Sequence, residues 1–368
     1  MIASHADREP PEHEHRIVEL EDLDQLADAW DRLARKSGSP IEQYIWAKAC
    51  AEALSDRYSL QALALGPRDE PVAIAPLARR RRRPLAPLEL LGVHELREPM
   101  DFLYANASAA ASLVRVLAEL RAPVSLKRFP VHSFGLTAVG SAYRQRGLVL
   151  SRNAGGCPYI PLDERHMEPE QGLSGRRRSD LRRARRRAEK LGRVSCQVLS
   201  PAPAELDPLV DDAFRVEAAG WKGRARTALA HDSTRQAFFR RYAAAASSKG
   251  ILRLCLLRIG DSAAAMQIAV ETGGRFWLLK VGYDERFARC SPGSLLLLET
   301  IRHAAARGLR SYEFLGNAEK WTRPWTRQVR PCVHLEAYPF KARGVGRLAT
   351  GAAAVGGRRL TDAVRSRR

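Results

Sequence analysis

No C-x-x-C pair occurs in this chain, and its six cysteines, at 50, 157, 196, 255, 290 and 332, are scattered. That spacing argues against a zinc knuckle or a disulfide scaffold and points to a reduced, cytoplasmic setting. Nowhere do about 18 apolar residues run together, the length of a membrane-spanning helix. The N-terminal MIASHADREPPEHEHR lacks the apolar stretch of a signal peptide, so neither a span nor a signal is expected. Lysine is scarce: nine of the 61 basic residues are lysine and the rest arginine. Many alanines and few aromatics accompany this skew, as GC-rich coding would produce, so arginine number alone says little. The net charge of +20 still creates a field that attracts phosphates, anionic sugars or lipid headgroups. His13 and His15 read as part of a solvated tail, and no metal is expected.

With 45% hydrophobic and 28% charged residues in 368, the composition is that of a soluble globular protein long enough for two folded units. After a disordered leader (1–15), EDLDQLADAWDRLARK places Leu23, Leu26, Ala29, Trp30 and Leu33 at helical spacing, and a second helix is expected over Tyr44 to Leu54. SLQALALG and PVAIAPLARR read as a hairpin around Gly66-Pro67-Arg68-Asp69. A strand with long loops is expected from Leu88 to Tyr104, a helix from Ala107 to Arg121 and a strand from Pro123 to Phe134, closing an α/β unit over 16–165. A connecting segment, 166–195, carries LSGRRRSDLRRARRRAEKLGRV. There Leu181, Ala184, Ala188 and Leu191 form one apolar stripe on an arginine-covered helix that Gly192 stops.

The second unit, 196–340, reads as a helix to Gly220, a helix to Gly250, three strands joined by Gly260-Asp261 and Gly273-Gly274, a helix ending at Gly308 and the strand SYEFLG. The last 28 residues, 341–368, form a basic tail.

Chemistry concentrates in FARCSPGSLLLLETIRHAAARGL. Pro292 suits the first turn of a helix and Ser291 suits its N-cap. The first N–H groups of a helix lack intrahelical partners and its dipole makes that end electropositive, so an anion fits there. Gly293 leaves those N–H groups open, while Arg286 and Arg289 add positive charge. A phosphate or pyrophosphate is the group this loop admits.

A meander, an anion-binding helix and a strand in this order resemble the acyl-CoA-binding half of the GNAT superfamily. More narrowly, EAAGWKGRARTAL, LLKVGYDERFARCSPGSLLL and YEFLGNAEKW resemble the GNAT-like acetyltransferases of CelD/BcsL type, associated with bacterial cellulose and exopolysaccharide synthesis and related to Fem-type aminoacyl transferases. The resemblance runs from about residue 40 to 340, carried in the first unit by PIEQYIWAKA and AIAPLARR. It implies two GNAT-like (acyl-CoA N-acyltransferase) domains in tandem, with mixed, mostly antiparallel sheets flanked by helices. It also implies acetyl-CoA or another acyl-CoA as co-substrate. Val281 and Gly282 would pair with the pantetheine arm, and Arg289, Ser291, Gly293 and Ser294 would hold the pyrophosphate. The loop has less glycine than the GNAT pattern Q/R-x-x-G-x-G/A, matching it only at Arg289 and Gly293. A Fem-like activated acyl or aminoacyl donor is therefore the alternative.

Acyl transfer needs a base, an oxyanion partner and a proton for the thiolate. Glu217, four residues before Trp221, is the candidate base, since a carboxylate beside an indole has a raised pKa. Lys222 and Lys280 stand out in an arginine-preferring chain. Lys280 is read as facing the acceptor cleft, with Tyr283 and Asp284 beyond it as proton donor or acceptor contact. Tyr312 and Glu313 point to opposite faces, so only one can reach the cleft. Trp221, Lys222, Tyr312 and Lys320 are the substrate-binding candidates. Trp321 and Trp325 are read as core rather than as an aromatic wall.

The function expected is acyl transfer to a sugar, nucleotide sugar or glycan precursor. The competing class is nucleic-acid binding through Arg176 to Arg187. No interleaved aromatics accompany that helix, so nucleic acid is the weaker partner; contact with acceptor phosphates or an anionic membrane surface fits it better.

Overall fold

A computed structural model describes residues 14–83, 86–220 and 229–340. Among the described residues fifteen strands form two sheets. The first, β1 (His15–Val18), β3 (Ala62–Leu65), β4 (Ala73–Ala75) and β7 (Leu103–Tyr104), caps the first unit in the order β1-β3-β4-β7. The second sheet has eleven strands and runs through the whole protein. From one edge it holds β10 (Val194–Leu199), β11 (Leu252–Ile259), β12 (Ser262–Thr272), β13 (Arg275–Tyr283) and β14 (Ser311–Glu313). It continues through β9 (Gly147–Pro161), β15 (Val329–Pro339), β8 (Val124–Pro130), β6 (Leu88–Leu90), β5 (Leu77–Arg80) and β2 (Tyr58–Leu60). Two pairs are parallel, β13 with β14 and β6 with β8; the rest are antiparallel. Each parallel pair ends an antiparallel run and is linked by a crossover containing one long helix, so the chain repeats one mixed, mostly antiparallel α/β plan twice.

The helices are α1 (Ala27–Ala34), α2 (Tyr44–Ala53), α3 (Val93–Leu96), α4 (Ala107–Glu119) and α5 (Phe134–Ala142) in the first unit. The arginine helix α6 (Gly175–Glu189) follows, then α7 (Leu206–Ala218), α8 (Ser233–Ser248) and α9 (Pro292–Ala306). Helices α7 and α8 lie between the second unit's sheet and the first unit: Trp46 of α2 meets Phe238 and Tyr242 of α8 edge-on, with centroids 4.7 and 4.9 Å away. The turn at Gly273 abuts Gly38, where an added Cβ would stand 2.6 Å from the Gly38 carbonyl oxygen. The two units thus share one core, while α6 and α9 cover the opposite face of the second sheet with their own.

Several sequence expectations need correction. The strand expected to Phe134 ends at Pro130, and Ser133 caps helix α5 by accepting from the N–H groups of Gly135 (3.0 Å) and Leu136 (3.4 Å). Between Leu88 and Tyr104 lie two short strands and a helical turn rather than one strand. Strand β9, unpredicted, has mostly exposed residues in its first half and so gives no apolar alternation to read. Its first part pairs with β15 and its end, Tyr159 to Pro161, with β14, which makes it the joint between the units. Strand β15, though late in sequence, inserts between β9 and β8. On α6, Leu181, Ala184 and Ala188 are buried as the stripe requires, but Leu191 lies past the helix end and is exposed.

Candidate active site

Strand β13 organises the site. Its apolar run, Phe276 to Leu279, is buried, and its register with β12 slips from Leu278–Ala269 to Lys280–Ile268, so Leu279 bulges and the strand bends. β14 accompanies β13 only from Arg275–Ser311 to Trp277–Glu313. Leu315 and Gly316, at φ 56° and 50°, then turn the chain away. Beyond Trp277, β14 no longer runs beside β13, and a cleft of about 630 Å³ opens along Val281 to Tyr283. Val281, Gly282 and Tyr283 form one side, Pro292, Gly293 and Ser294 the end, and Lys320, Trp321 and Trp325 the opposite wall.

At that end α9 begins. Ser291 is left-handed (φ 45°) and its side chain caps nothing, which corrects its reading as an N-cap hydroxyl; its carbonyl instead accepts from the N–H groups of Ser294 (3.0 Å) and Leu295 (3.2 Å). Pro292 has no N–H, and among the described residues Gly293 N–H has no backbone partner. A Cβ on Gly293 would meet only Tyr283 Cδ1, at 3.7 Å, so the space above it is open.

The positive charge here comes from another quarter than expected. Arg286 is bound to Asp284, and Arg289 is exposed, its carbonyl accepting from Arg187 Nη1 (3.3 Å). Arg177 of α6 lines the cleft and donates to Ser294 Oγ (3.1 Å). The signal was present in the sequence: Arg177 stands four residues before Leu181 and therefore continues the apolar stripe toward the body.

Glu217 and Lys280 meet where α7 crosses β13. Their charged atoms are 3.1 Å apart, the Glu217 side chain is fully buried, and its Oε2 accepts from Leu229 N–H (2.7 Å). Lys280 Nζ also stands 5.6 Å from the Phe239 ring centroid. The close crossing requires Gly282, where a Cβ would come within 2.8 Å of Glu217 Cα. Glu217 lines the cleft, but Lys280 is held in an ion pair rather than presented as a free charge.

The other candidates divide. Tyr283 lines the cleft beside Gly293, and Lys320 lines its far wall. Asp284 does not: it is buried and accepts from Arg286 N (2.9 Å), Nε (2.8 Å) and Nη2 (2.6 Å). Burial pushes its pKa up, but the Arg286 bonds and charge outweigh that and hold the carboxyl below its usual range, so it serves as a helix cap and not as a proton donor. Tyr312 is also corrected. It is fully buried, stacked 4.7 Å from Phe276 and bonded to Thr300 Oγ1 (3.1 Å), out of an acceptor's reach. Glu313, its neighbour, is buried too and takes both Arg330 Nε (2.9 Å) and Nη2 (2.7 Å). Trp321, 41% exposed, belongs to the cleft wall rather than to the core, whereas Trp325 is half-buried and packs against the second unit's core while also lining the cleft. Trp221 and Lys222 lie outside the described residues. Among the described residues no group of His, Cys, Asp and Glu could hold a metal, and no helix is long and apolar enough to cross a membrane.

A feature missed in the sequence is Glu98, contributed by the first unit. Its Oε2 accepts from Gly316 N–H (3.1 Å), at the turn where β14 leaves β13. Burial pushes its carboxyl up to about 7, against the pull of that N–H, Arg128 and Lys280. Buried Arg128 donates to Asn317 and to the Gly316 carbonyl, fixing the same turn.

Comparison with known proteins agrees with this geometry. Residues 175–323 match the family model described as an acetyltransferase (GNAT) domain. Among solved structures, FemX is similar at a TM-score of 0.54 and 11% identity, covering 89% of this chain and 97% of that one. A C-terminal domain (DUF2156) from Agrobacterium fabrum, provisionally described as that of a lysylphosphatidylglycerol synthetase, is similar at 0.52 and 10%, covering 91% and 96%. L-PGS from Bacillus licheniformis is similar at 0.50 and 10%, covering 90% and 96%. At these identities the likeness is one of fold. No curated protein sequence matches the chain.

Proposed function

We propose that this chain, an acyltransferase by the domain it carries over residues 175–323, transfers an acyl group, acetyl in the simplest case, from coenzyme A to a nitrogen or oxygen of a sugar, nucleotide sugar or glycan precursor. The observation that carries the donor half is the coincidence of two features in one cleft: the end of β13 beyond its pairing with β14, where Val281, Gly282 and Tyr283 line the cleft, and an open helix start at Gly293. A pantetheine arm carries amides that pair with a strand edge. Its diphosphate is the anion a helix start accepts, here with Arg177 beside it. Val281 and Gly282 serve the arm, and Gly293 and Ser294 the diphosphate. In the transfer, the acceptor nucleophile bonds to the thioester carbon, the C–S bond breaks, and the acceptor's lost proton is balanced by the one the thiolate gains. Glu217 and Tyr283, both lining the cleft, are the proton carriers in this reading.

The CelD/BcsL-like motifs support polysaccharide or cell-envelope synthesis in the cytoplasm as the setting. The exposed arginines of α6, Arg176, Arg182 and Arg186 among them, suit peripheral contact with an anionic membrane. An aminoacyl donor is the second reading, favoured by the glycine-poor loop and by likeness to FemX along nearly the whole chain.

Acetyl-CoA should raise the melting temperature of the purified protein, and free thiol should be released faster when an amino sugar or nucleotide sugar is added. Absence of any shift with short or long acyl-CoA would reject the coenzyme A donor and leave the aminoacyl reading.

A further inference from the structure

On the α7/α8 side of β13 a second hollow, of about 270 Å³, has Trp46, Phe239, Phe314 and Trp321 in its walls, with Glu98 and Lys280 beside them. It meets the donor cleft at Val281, Glu319 and Trp321, which line both. Outward, Arg97 and Arg235 line both this chamber and a groove of about 580 Å³ on the first unit. Groove, chamber and the edge of β13 where the donor thioester would lie are thus neighbours in that order, each sharing wall residues with the next.

The groove is strongly cationic. Arg57, Arg80, Arg82, Arg83, Arg97 and Arg235 line it against Asp56, Glu95 and Asp232. Arg80 is paired with Glu89, Arg235 with Asp232, and Glu95 accepts from Tyr58 Oη (2.6 Å). Arg57, Arg82, Arg83 and Arg97 are exposed and, among the described residues, in no ion pair. Planar guanidinium forks match phosphate oxygens in pairs. Four such groups face two carboxylates that no arginine pairs, Asp56 and Glu95, and the positive charge left over exceeds what a single carboxylate ligand would balance. The chamber beyond is aromatic and narrow, and Trp46, whose indole Nε1 is buried without a partner among the described residues, lines it.

We infer that the acceptor is a small phosphate-bearing molecule, gripped by its phosphate among Arg57, Arg82, Arg83 and Arg97, whose nucleophile passes through the aromatic chamber beside Glu98 to reach the donor at β13. This rests on the acyl-transfer reading, which leaves the acceptor's chemistry and its direction of entry open. It makes the first unit the acceptor-holding half and gives a role to Glu98 and Trp46, which come from that unit and line the chamber against β13.

The test is calorimetric titration of the full chain, saturated with CoA so that the donor's own anion site is filled, using inorganic pyrophosphate, UDP and acetate as probes. Pyrophosphate and UDP should bind and acetate should not. In Arg82→Glu/Arg97→Glu protein that binding should weaken about tenfold or more, while CoA binding and the melting temperature stay unchanged. The milder Arg82→Gln/Arg97→Gln pair should move the same way. Unaltered pyrophosphate binding in both variants, or no binding to the CoA-saturated wild type, overturns the inference. So does a single-stranded oligonucleotide that binds the groove more tightly than UDP with a steep salt dependence. Failure of CoA to bind the wild type is a separate result that rejects the donor reading; the groove is then tested by the same titration without CoA, in Gly293→Glu protein.

Discussion

Gly293→Glu protein should fold normally and lose CoA binding by about a hundredfold or more, a change of about 2.8 kcal/mol. Folding should survive because the new Cβ meets nothing nearer than Tyr283 Cδ1 at 3.7 Å and the side chain extends into the cleft. A carboxylate in a helix's first turn even suits the dipole. Binding should fail for that same reason: the carboxylate occupies the place of the diphosphate and repels it. Titration of CoA into the variant, alongside its melting curve, checks both halves. Undiminished affinity with an unchanged melting temperature would remove the diphosphate from the start of α9.

Glu217→Ala should destabilise the protein by about 3–5 kcal/mol, the usual cost of leaving one member of a buried ion pair uncompensated. Lys280 would keep its charge with a side chain 12% exposed, the Phe239 ring beside it and the up-shifted Glu98 carboxyl still acting on it. The loss is a large fraction of the stability a domain possesses, and transfer should fall with it. Adding Lys280→Met to Glu217→Ala should restore most of the stability by removing the stranded ammonium, while activity stays lost. Urea unfolding of the two single variants and the double variant reads the coupling. Additive effects would show that the two side chains do not depend on each other.

The two variants draw on parts of the fold that differ in how plainly the sequence announces them. The second unit's meander, α9 and β14 were readable because glycine turns separate apolar runs and Pro292 and Gly293 mark the helix start. The place of Gly293 in the cleft followed from the same marks. Ser291 misled because its sequence position fits a capping hydroxyl, whereas its left-handed backbone turns the side chain off the helix. Tyr312 misled because alternation says which side a residue faces and not whether that side is sealed, and here Phe276 and Thr300 seal it. Asp284 misled because the arginine that neutralises it, Arg286, was counted as a free charge. Strands β9 and β15 were out of reach for a different reason: each is long and partly exposed, and each is specified by pairing across more than a hundred residues of sequence. Glu98 and Arg128 depend on that same long-range assembly, since both act on the turn at Gly316 from another unit.

The most direct measurement is a crystal structure of the protein with CoA. The account predicts the diphosphate within hydrogen-bonding distance of the Gly293 and Ser294 main chain and of Arg177, with the pantetheine arm laid along Leu278 to Tyr283. CoA found elsewhere, with that edge of β13 unoccupied, would contradict it.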